Sequence, residues 1–191
     1  MKKILAWLLA GTLILGVTGC QKKPEPQDSA SRQEVEVKDS LEILDNVWKL
    51  YGEEEKFPVM GGGYSQIAEN APGKIETTDT ESFQSLLIVP EEEVSLIDDA
   101  ASMIHAMNAN TFTSGVFRVK EKGDVETFIE SLKKSILNNH WMCGFPEKLI
   151  MVRVGEQYVV SVFGNADILK NFEARLKEAY PGAEVMVEES L

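Results

Sequence analysis

The chain has 191 residues and a formal net charge of −12, and the roughly 150 residues from Asp39 onward suit one domain. The acidic excess is local, because Asp39 to Phe117 contains 3 basic and 15 acidic residues whereas Arg118 to Leu191 contains 10 and 12. Phosphate backbones are bound by clustered Lys and Arg, so this balance argues against nucleic acid and anionic lipid as partners.

The first 19 residues have the features of a secretory signal peptide. Lys2 and Lys3 precede an apolar stretch, Ile4 to Val17, and the small residues that follow end at Cys20. Val17-Thr18-Gly19-Cys20 resembles the bacterial lipobox, which implies cleavage before Cys20 and a diacylglyceryl group on its thiol. The alternative is an uncleaved membrane helix, but the apolar stretch is shorter than the roughly 20 residues that span a bilayer. We therefore expect a lipid-anchored protein on the outer side of the cell membrane.

Residues 20–38 are predicted to be the lipid anchor and a flexible tether. Gln21 to Lys38 is rich in proline, serine and alternating charges and has few apolar residues, so it cannot bury enough surface to fold. A flexible coil of about 18 residues spans on the order of 20 to 25 Å. The folded part is thus expected to stay near the membrane.

Residues 39–191 are predicted to form a single α+β domain, whose first part, 39–110, reads as helices and loop. Asp39 or Ser40 can cap a helix that ends at Gly52, and Phe57 to Thr80 reads as a loop containing Gly61-Gly62-Gly63. An apolar stretch from Phe83 to Val89 follows. A second helix after Pro90 is then predicted from an apolar face made by Val94, Ile97, Ala101 and Ile104.

The second part, 111–191, shows clearer periodicity and predicts the order β-α-β-β-α-β of ferredoxin-like sandwiches. The predicted elements are a strand at Phe112–Lys120, a helix capped by Asp124, strands at Leu149–Val154 and Tyr158–Phe163, a helix from Ile168 to Leu176, and a strand at Ala183–Val187. Both faces of the central hairpin are apolar, although a two-layer sandwich leaves one face wet. We expect the helices before residue 110 to cover the second face; a partner or a second copy is the alternative.

This pattern resembles a family of Gram-positive surface lipoproteins known only as a domain of unknown function. The resemblance rests on the lipobox, the predicted helix from Val94 to Asn108 running into Ala109-Asn110, the strand ending Phe117-Arg118-Val119-Lys120, and the helix, hairpin and helix that follow. It implies an extracytoplasmic lipoprotein. It implies no activity and supplies no site residues.

Cys143 and His140 are the only candidates for chemistry. Lipidation of Cys20 leaves Cys143 as a free thiol, and His140 three residues earlier could serve as its base or share half of a zinc site. Zinc would need further ligands, and His105 is the only other histidine. A buried thiol that packs as a small hydrophobe is the favoured alternative. The glutamate runs Glu53 to Glu55 and Glu91 to Glu93 lack a calcium-loop pattern, so no metal or cofactor is predicted.

Several apolar residues have both a binding and a packing interpretation. Trp141 and Phe145 could form a contact patch, but burial is favoured because large aromatics contribute most when buried. Met60, Met103 and Met107 could likewise form an adaptable surface, with core packing favoured. The sequence therefore predicts a membrane-anchored, non-enzymatic interaction or ligand-binding module, whose partner is an envelope protein or a small molecule. The alternative is an envelope enzyme that uses Cys143 and His140.

Overall fold

An eight-stranded antiparallel sheet runs through the centre of the computed structural model, which describes residues 36–142 and 144–191. The strands are β1 (Val59–Gly63), β2 (Gln66–Glu69), β3 (Gly73–Ile75), β4 (Ile97–His105), β5 (Phe112–Val119), β6 (Lys148–Val154), β7 (Tyr158–Gly164) and β8 (Glu184–Ser190). The helices are α1 (Ser40–Lys49), α2 (Thr80–Ser85), α3 (Glu91–Val94), α4 (Val125–Leu137) and α5 (Ala166–Ala179). The predicted signal peptide, Cys20, the tether up to residue 35 and Cys143 lie outside the described residues.

The strands follow the order β2-β1-β4-β5-β7-β6-β8, and β3 also pairs with β4. Met103 in β4 pairs with Gly61 in β1, and the next residue, Ser102, pairs with Gly73 in β3. β1 and β3 therefore lie end to end along one edge of β4, while β5 occupies the other edge.

The α4 and α5 helices lie on opposite faces of this sheet. β5 and β6 are parallel with β7 between them, and β7 and β8 are parallel with β6 between them. The connection from β5 to β6 and the connection from β7 to β8 both cross the sheet in the same direction. Their first strands, β5 and β7, run in opposite directions. Right-handed connections therefore require the two helices to lie on opposite faces.

Two hydrophobic clusters fill the two sides. Phe128 and Leu132 of α4 belong to one cluster, together with Phe83 of α2. Phe172 of α5 belongs to the other, together with Ile43 of α1. The second face of the β6 and β7 hairpin is covered by α5, while α1 packs on β4 and β5 beside it, so the prediction that the N-terminal helices cover this face was wrong. The α+β class is confirmed, and the order β-α-β-β-α-β is present along the chain. The ferredoxin-like two-layer sandwich is not confirmed, because α4 and α5 cover opposite faces of a larger sheet.

Local signals explain the helices that were predicted correctly. Asp39 is the N-cap of α1, and its carboxylate accepts a hydrogen bond from the Glu42 amide at 2.9 Å. Asn165 caps α5 in the same way through the amides of Asp167 and Ile168. The segments after Asp124 and before Pro181-Gly182 are helical as expected.

The prediction for residues 57–110 was wrong in two places. Phe57 to Thr80 was interpreted as a loop, but it contains β1, β2 and β3. The helix predicted after Pro90 is helical only over Glu91–Val94, and Ile97–His105 is strand β4. β4 is central in the sheet and buried on both faces, so it lacks the alternation of a half-buried strand and its apolar residues also fit a helical spacing.

Candidate functional site

An apolar cavity of about 230 Å³ opens beside strands β1, β2 and β4. Met60 in β1 pairs directly with Ile104 in β4, and Ile67 in β2 pairs with Gly62. These residues face the side on which α2 and α4 pack, because Ile104 shares the face of Ala100, which lies in the α4 cluster. The remaining wall is formed by Tyr64, Leu86, His105 and the segment Ala106–Ala109.

The rim of the cavity exposes large apolar side chains. Ile67 is 59% exposed and Met107 is 81% exposed, and the side chains of Met60 and Tyr64 are also exposed. Met103, the third methionine considered above, is fully buried in the core. Met60 and Met107 thus support the contact-surface interpretation, whereas Met103 supports the packing interpretation. Methionine is flexible and polarizable, so such a rim can adapt to the shape of a bound group.

The three consecutive glycines of β1 allow the backbone to pass through a crowded position. A Cβ atom at Gly61 would lie 2.1 Å from the Gly73 nitrogen, and one at Gly62 would lie 2.2 Å from the Gln66 carbonyl oxygen. Gly62 also has a φ of 86°, which disfavours other residues. The glycine cluster is therefore not part of the loop that its composition predicted. It is a strand in close backbone contact with the β2 and β3 segments.

Asp79 and Ser82 hold the turn between β1 and β2 against α2. The Ser82 hydroxyl donates to the Asp79 carboxylate at 2.7 Å and accepts from the Tyr64 amide at 2.8 Å. The Ser65 hydroxyl donates to the same carboxylate at 3.1 Å. The hydrogen bond from Ser82, followed by those from the Ser82 and Ser65 amides, lowers the pKa of Asp79 although partial burial opposes this. The exposed hairpin that bears Ile67 is thus attached to the body of the protein.

His105 holds the segment that carries Met107. Its Nδ1 accepts hydrogen bonds from the amides of Met107 and Asn108, at 3.1 and 3.2 Å. The His105 ring stacks on Phe57 with centroids 5.6 Å apart and an angle of 14°. Since Nδ1 is already an acceptor for two amides, His105 acts here as a structural residue of the cavity wall.

A second hollow lies next to the first, and its lining includes Asn108 and Phe145. Asn110 donates from its side-chain amide to the carbonyls of Met142 and Gly144, at 3.0 and 2.9 Å. Met142 is 80% exposed and Phe145 is 77% exposed. Asn108 lines both hollows, so the two hollows adjoin.

The predicted chemical residues do not form a site among the described residues. His140 is exposed, and Cys143 lies outside the part of the chain that the structure describes. Within residues 36–142 and 144–191, no group of three or more His, Cys, Asp or Glu side chains could hold a metal ion. Trp141 was predicted to be buried and is half-buried, with its ring centroid 5.1 Å from that of Phe163. Phe145 differs from that expectation and is exposed.

The cavity and Val37 lie at opposite ends of the sheet. The Tyr158 hydroxyl donates to the Val37 carbonyl at 3.3 Å, and Tyr158 pairs with Arg118 at one end of β5. The cavity residue Ile104 pairs with Thr113 near the other end of β5. Five residues of strand separate Arg118 from Thr113, which corresponds to about 17 Å.

Comparison with protein-family models, curated proteins and solved structures found no match to this chain. In the part of the chain that the structure describes, no helix combines the length and the apolar character needed to cross a membrane. The cavity and its exposed rim are thus the features of this protein that indicate a function.

Proposed function

We propose that this protein is an extracytoplasmic lipoprotein, anchored to the cell membrane through Cys20, that acts as a non-enzymatic binding module. The lipobox-like segment that ends at Cys20 supports the anchor. The resemblance to Gram-positive surface lipoproteins agrees with that location. The observation that carries the binding role is the apolar cavity with its exposed rim of Met60, Ile67 and Met107.

The size of the cavity favours a single apolar side chain over a drug-sized small molecule. Ligand sites for small molecules usually have about 300 to 1,000 Å³, and the 230 Å³ here suits one apolar side chain or one small ring. Contiguous exposed apolar surface on a soluble domain marks an interaction site. The site is thus proposed to accept an apolar group that a partner presents.

The position of the cavity is suited to this role. Val37, the residue beside the tether, lies at the end of β5 remote from the cavity. The residues that the structure describes before α1 therefore leave the cavity uncovered.

Two measurements test this proposal in the native host. Cells that express the wild type or Cys20→Ser are labelled with radioactive palmitate and fractionated. The wild type is expected to carry the label and to sediment with membranes, and Cys20→Ser is expected to lose both. An unlabelled wild type, or membrane attachment without Cys20, would contradict the anchor.

The binding role is tested by photo-crosslinking in intact cells. A photoreactive amino acid at position 107 or 67 is expected to give the same crosslinked species. The same residue at position 185, an exposed apolar position in β8 on the opposite edge of the sheet, is the control. Crosslinks that are equally abundant from position 185, or absent from positions 67 and 107, would refute the binding role.

A further inference from the structure

We infer that β2 and the adjacent cavity bind an extended, basic segment of a partner protein, which pairs with the outer edge of β2 and places an apolar side chain in the cavity. This inference deepens the proposed function and rests on it. It follows from the edge of the sheet, the cavity beside that edge, and the charge around both.

The outer edge of β2 is open for pairing among the described residues. β2 is the last strand of the sheet on this side, and Gln66, Ile67 and Glu69 are exposed. An unpaired strand edge offers a row of amide and carbonyl groups to an extended chain. β2 contains neither lysine nor proline, the residues that usually block such pairing.

The opposite edge of the sheet is protected in a way that β2 is not. Three glutamates of β8 form ion pairs with basic side chains: Glu184 with Arg153, Glu188 with Lys148, and Glu189 with Lys133. Charged side chains along an edge strand disfavour pairing with another chain. Among the described residues, β8 thus carries ion-paired charges along its edge, whereas β2 combines an open edge with an apolar cavity.

The cavity supplies a place for an anchoring side chain. Ile67 of β2 is on the same face as Met60 and borders the cavity. A chain that pairs with β2 places alternate side chains on that face, next to Ile67. A cavity that encloses one aromatic or large aliphatic group is typical of the energetic centre of a protein interface.

The charge around the site selects a basic partner. Lys74 is the only basic residue between Phe57 and Phe117, and it is paired with Asp39 at 3.1 Å and Asp99 at 3.3 Å. The same stretch contains nine acidic residues; of these, Asp98 and Asp99 lie at the end of β4 remote from the cavity, whereas Glu69 lies beside it. Glu69 is exposed and pairs across the strands with Met60 of the cavity. Complementary charge steers such a partner to the site.

The same charge disfavours two other occupants. After loss of residues 1–19 the chain has 17 basic and 31 acidic residues, a formal charge of −14, so two copies repel each other. An anionic lipid surface is repelled for the same reason. The cavity also lies away from the end of the sheet where Val37 is bound. A basic protein segment is therefore the occupant that the observations favour.

The test is selection from a phage-displayed library of random linear peptides against the purified domain, residues 20–191 with Cys20→Ser. Peptides that bind both the wild type and Val185→Ser, the control on the β8 edge, are retained. These peptides are expected to carry more Lys and Arg than Asp and Glu, together with an aromatic or large aliphatic residue. Failure to enrich any such peptide, or enrichment of neutral or acidic peptides, would overturn the inference.

Synthetic versions of the retained peptides then test each part of the site by titration calorimetry. Ile67→Ser and Met107→Ser are expected to weaken binding about tenfold or more, because they remove the apolar rim. Glu69→Gln is expected to weaken binding by a few fold and to reduce its salt dependence, whereas Glu54→Gln, an exposed acid in the turn after α1, should not. N-methylation of alternate peptide residues should abolish binding if the peptide pairs with β2.

The outcomes separate this inference from the function on which it rests. Unchanged affinity in Ile67→Ser, or full affinity of N-methylated peptides, would refute the inference even if crosslinking at position 107 succeeds in cells. Loss of membrane attachment would leave the peptide result unaffected, since the purified domain is not lipidated. Circular dichroism melting of each variant shows that the domain is folded, which the high exposure of Ile67, Met107 and Glu69 leads us to expect.

Discussion

Single glycines decide whether the hairpin beside the cavity can form. A side chain at Gly61 would collide with the backbone of residues 71–73, and backbone cannot move aside as a flexible side chain can. The close approach exists because β1 and β3 meet end to end on β4. Gly61 is thus required by packing between segments that are ten or more residues apart.

Gly61→Ala is expected to lower the free energy of unfolding by at least about 2 kcal/mol, because the new Cβ would lie 2.1 Å from the Gly73 nitrogen. Urea denaturation followed by circular dichroism measures the change. The matched control is Gly123→Ala, where a Cβ meets nothing within 4 Å, and its expected change is within about 0.5 kcal/mol. Equal stability of the two variants would show that β1 and β3 are not in contact.

At the scale of elements, the Asp79 carboxylate links α2 to the turn between β1 and β2. Asp79 accepts hydrogen bonds from Ser65 in the turn and from Ser82 in α2. Ser82 is fully buried, so its hydroxyl depends on these partners. The position of β2, and with it the cavity rim, depends on this contact.

Asp79→Asn is expected to reduce the free energy of unfolding near neutral pH by about 1 kcal/mol. The pKa of Asp79 is lowered in the folded protein, mainly by the hydrogen bond from Ser82. The stabilisation is therefore present above the ordinary pKa of 3.8 and is lost as the pH falls through the lower, folded value. Denaturation at a series of pH values should show the wild-type advantage disappear in acid.

Asp124→Asn is the control for this change, since Asp124 caps α4 without a side-chain hydrogen bond to the helix. Its effect at neutral pH is expected to be smaller than that of Asp79→Asn. An advantage of Asp79 over asparagine that persists unchanged in acid would mean that its charge does not stabilise the turn.

The elements differ in how far their sequences specify them. α4 and α5 have an apolar face at helical spacing, and the hairpin of β6 and β7 turns at Gly155, whose φ is 61°. Such signals lie within a few residues, so the sequence predicts these elements. β1 has three glycines in five residues and β4 is buried on both faces, so neither carries a local strand signal. Their structure depends on pairing with residues distant in sequence.

At the scale of the whole molecule, the sheet separates two hydrophobic cores. Ile43 of α1 and Ile136 of α4 are both fully buried, but they belong to different clusters on opposite faces. The two sides should therefore respond independently to small losses of packing.

Ile43→Val and Ile136→Val are each expected to lower the free energy of unfolding by about 0.5 to 1.5 kcal/mol. The double variant should show the sum of the two effects within about 0.5 kcal/mol, because the residues share no contacts across the sheet. A urea-denaturation cycle of the four proteins measures this. An interaction energy well above that range would indicate that the two cores pack as one.

The sequence by itself determined the acidic charge, α1, and the run of elements from β5 to β8, and it is the sole basis for the proposed anchor at Cys20. Each depends on composition or on spacing within one segment. Only the tertiary structure decided that Met60, Ile67, His105 and Met107 line one cavity and that α4 and α5 lie on opposite faces. Those facts depend on which strands become neighbours, a choice made by pairing and burial between residues that are far apart in the chain.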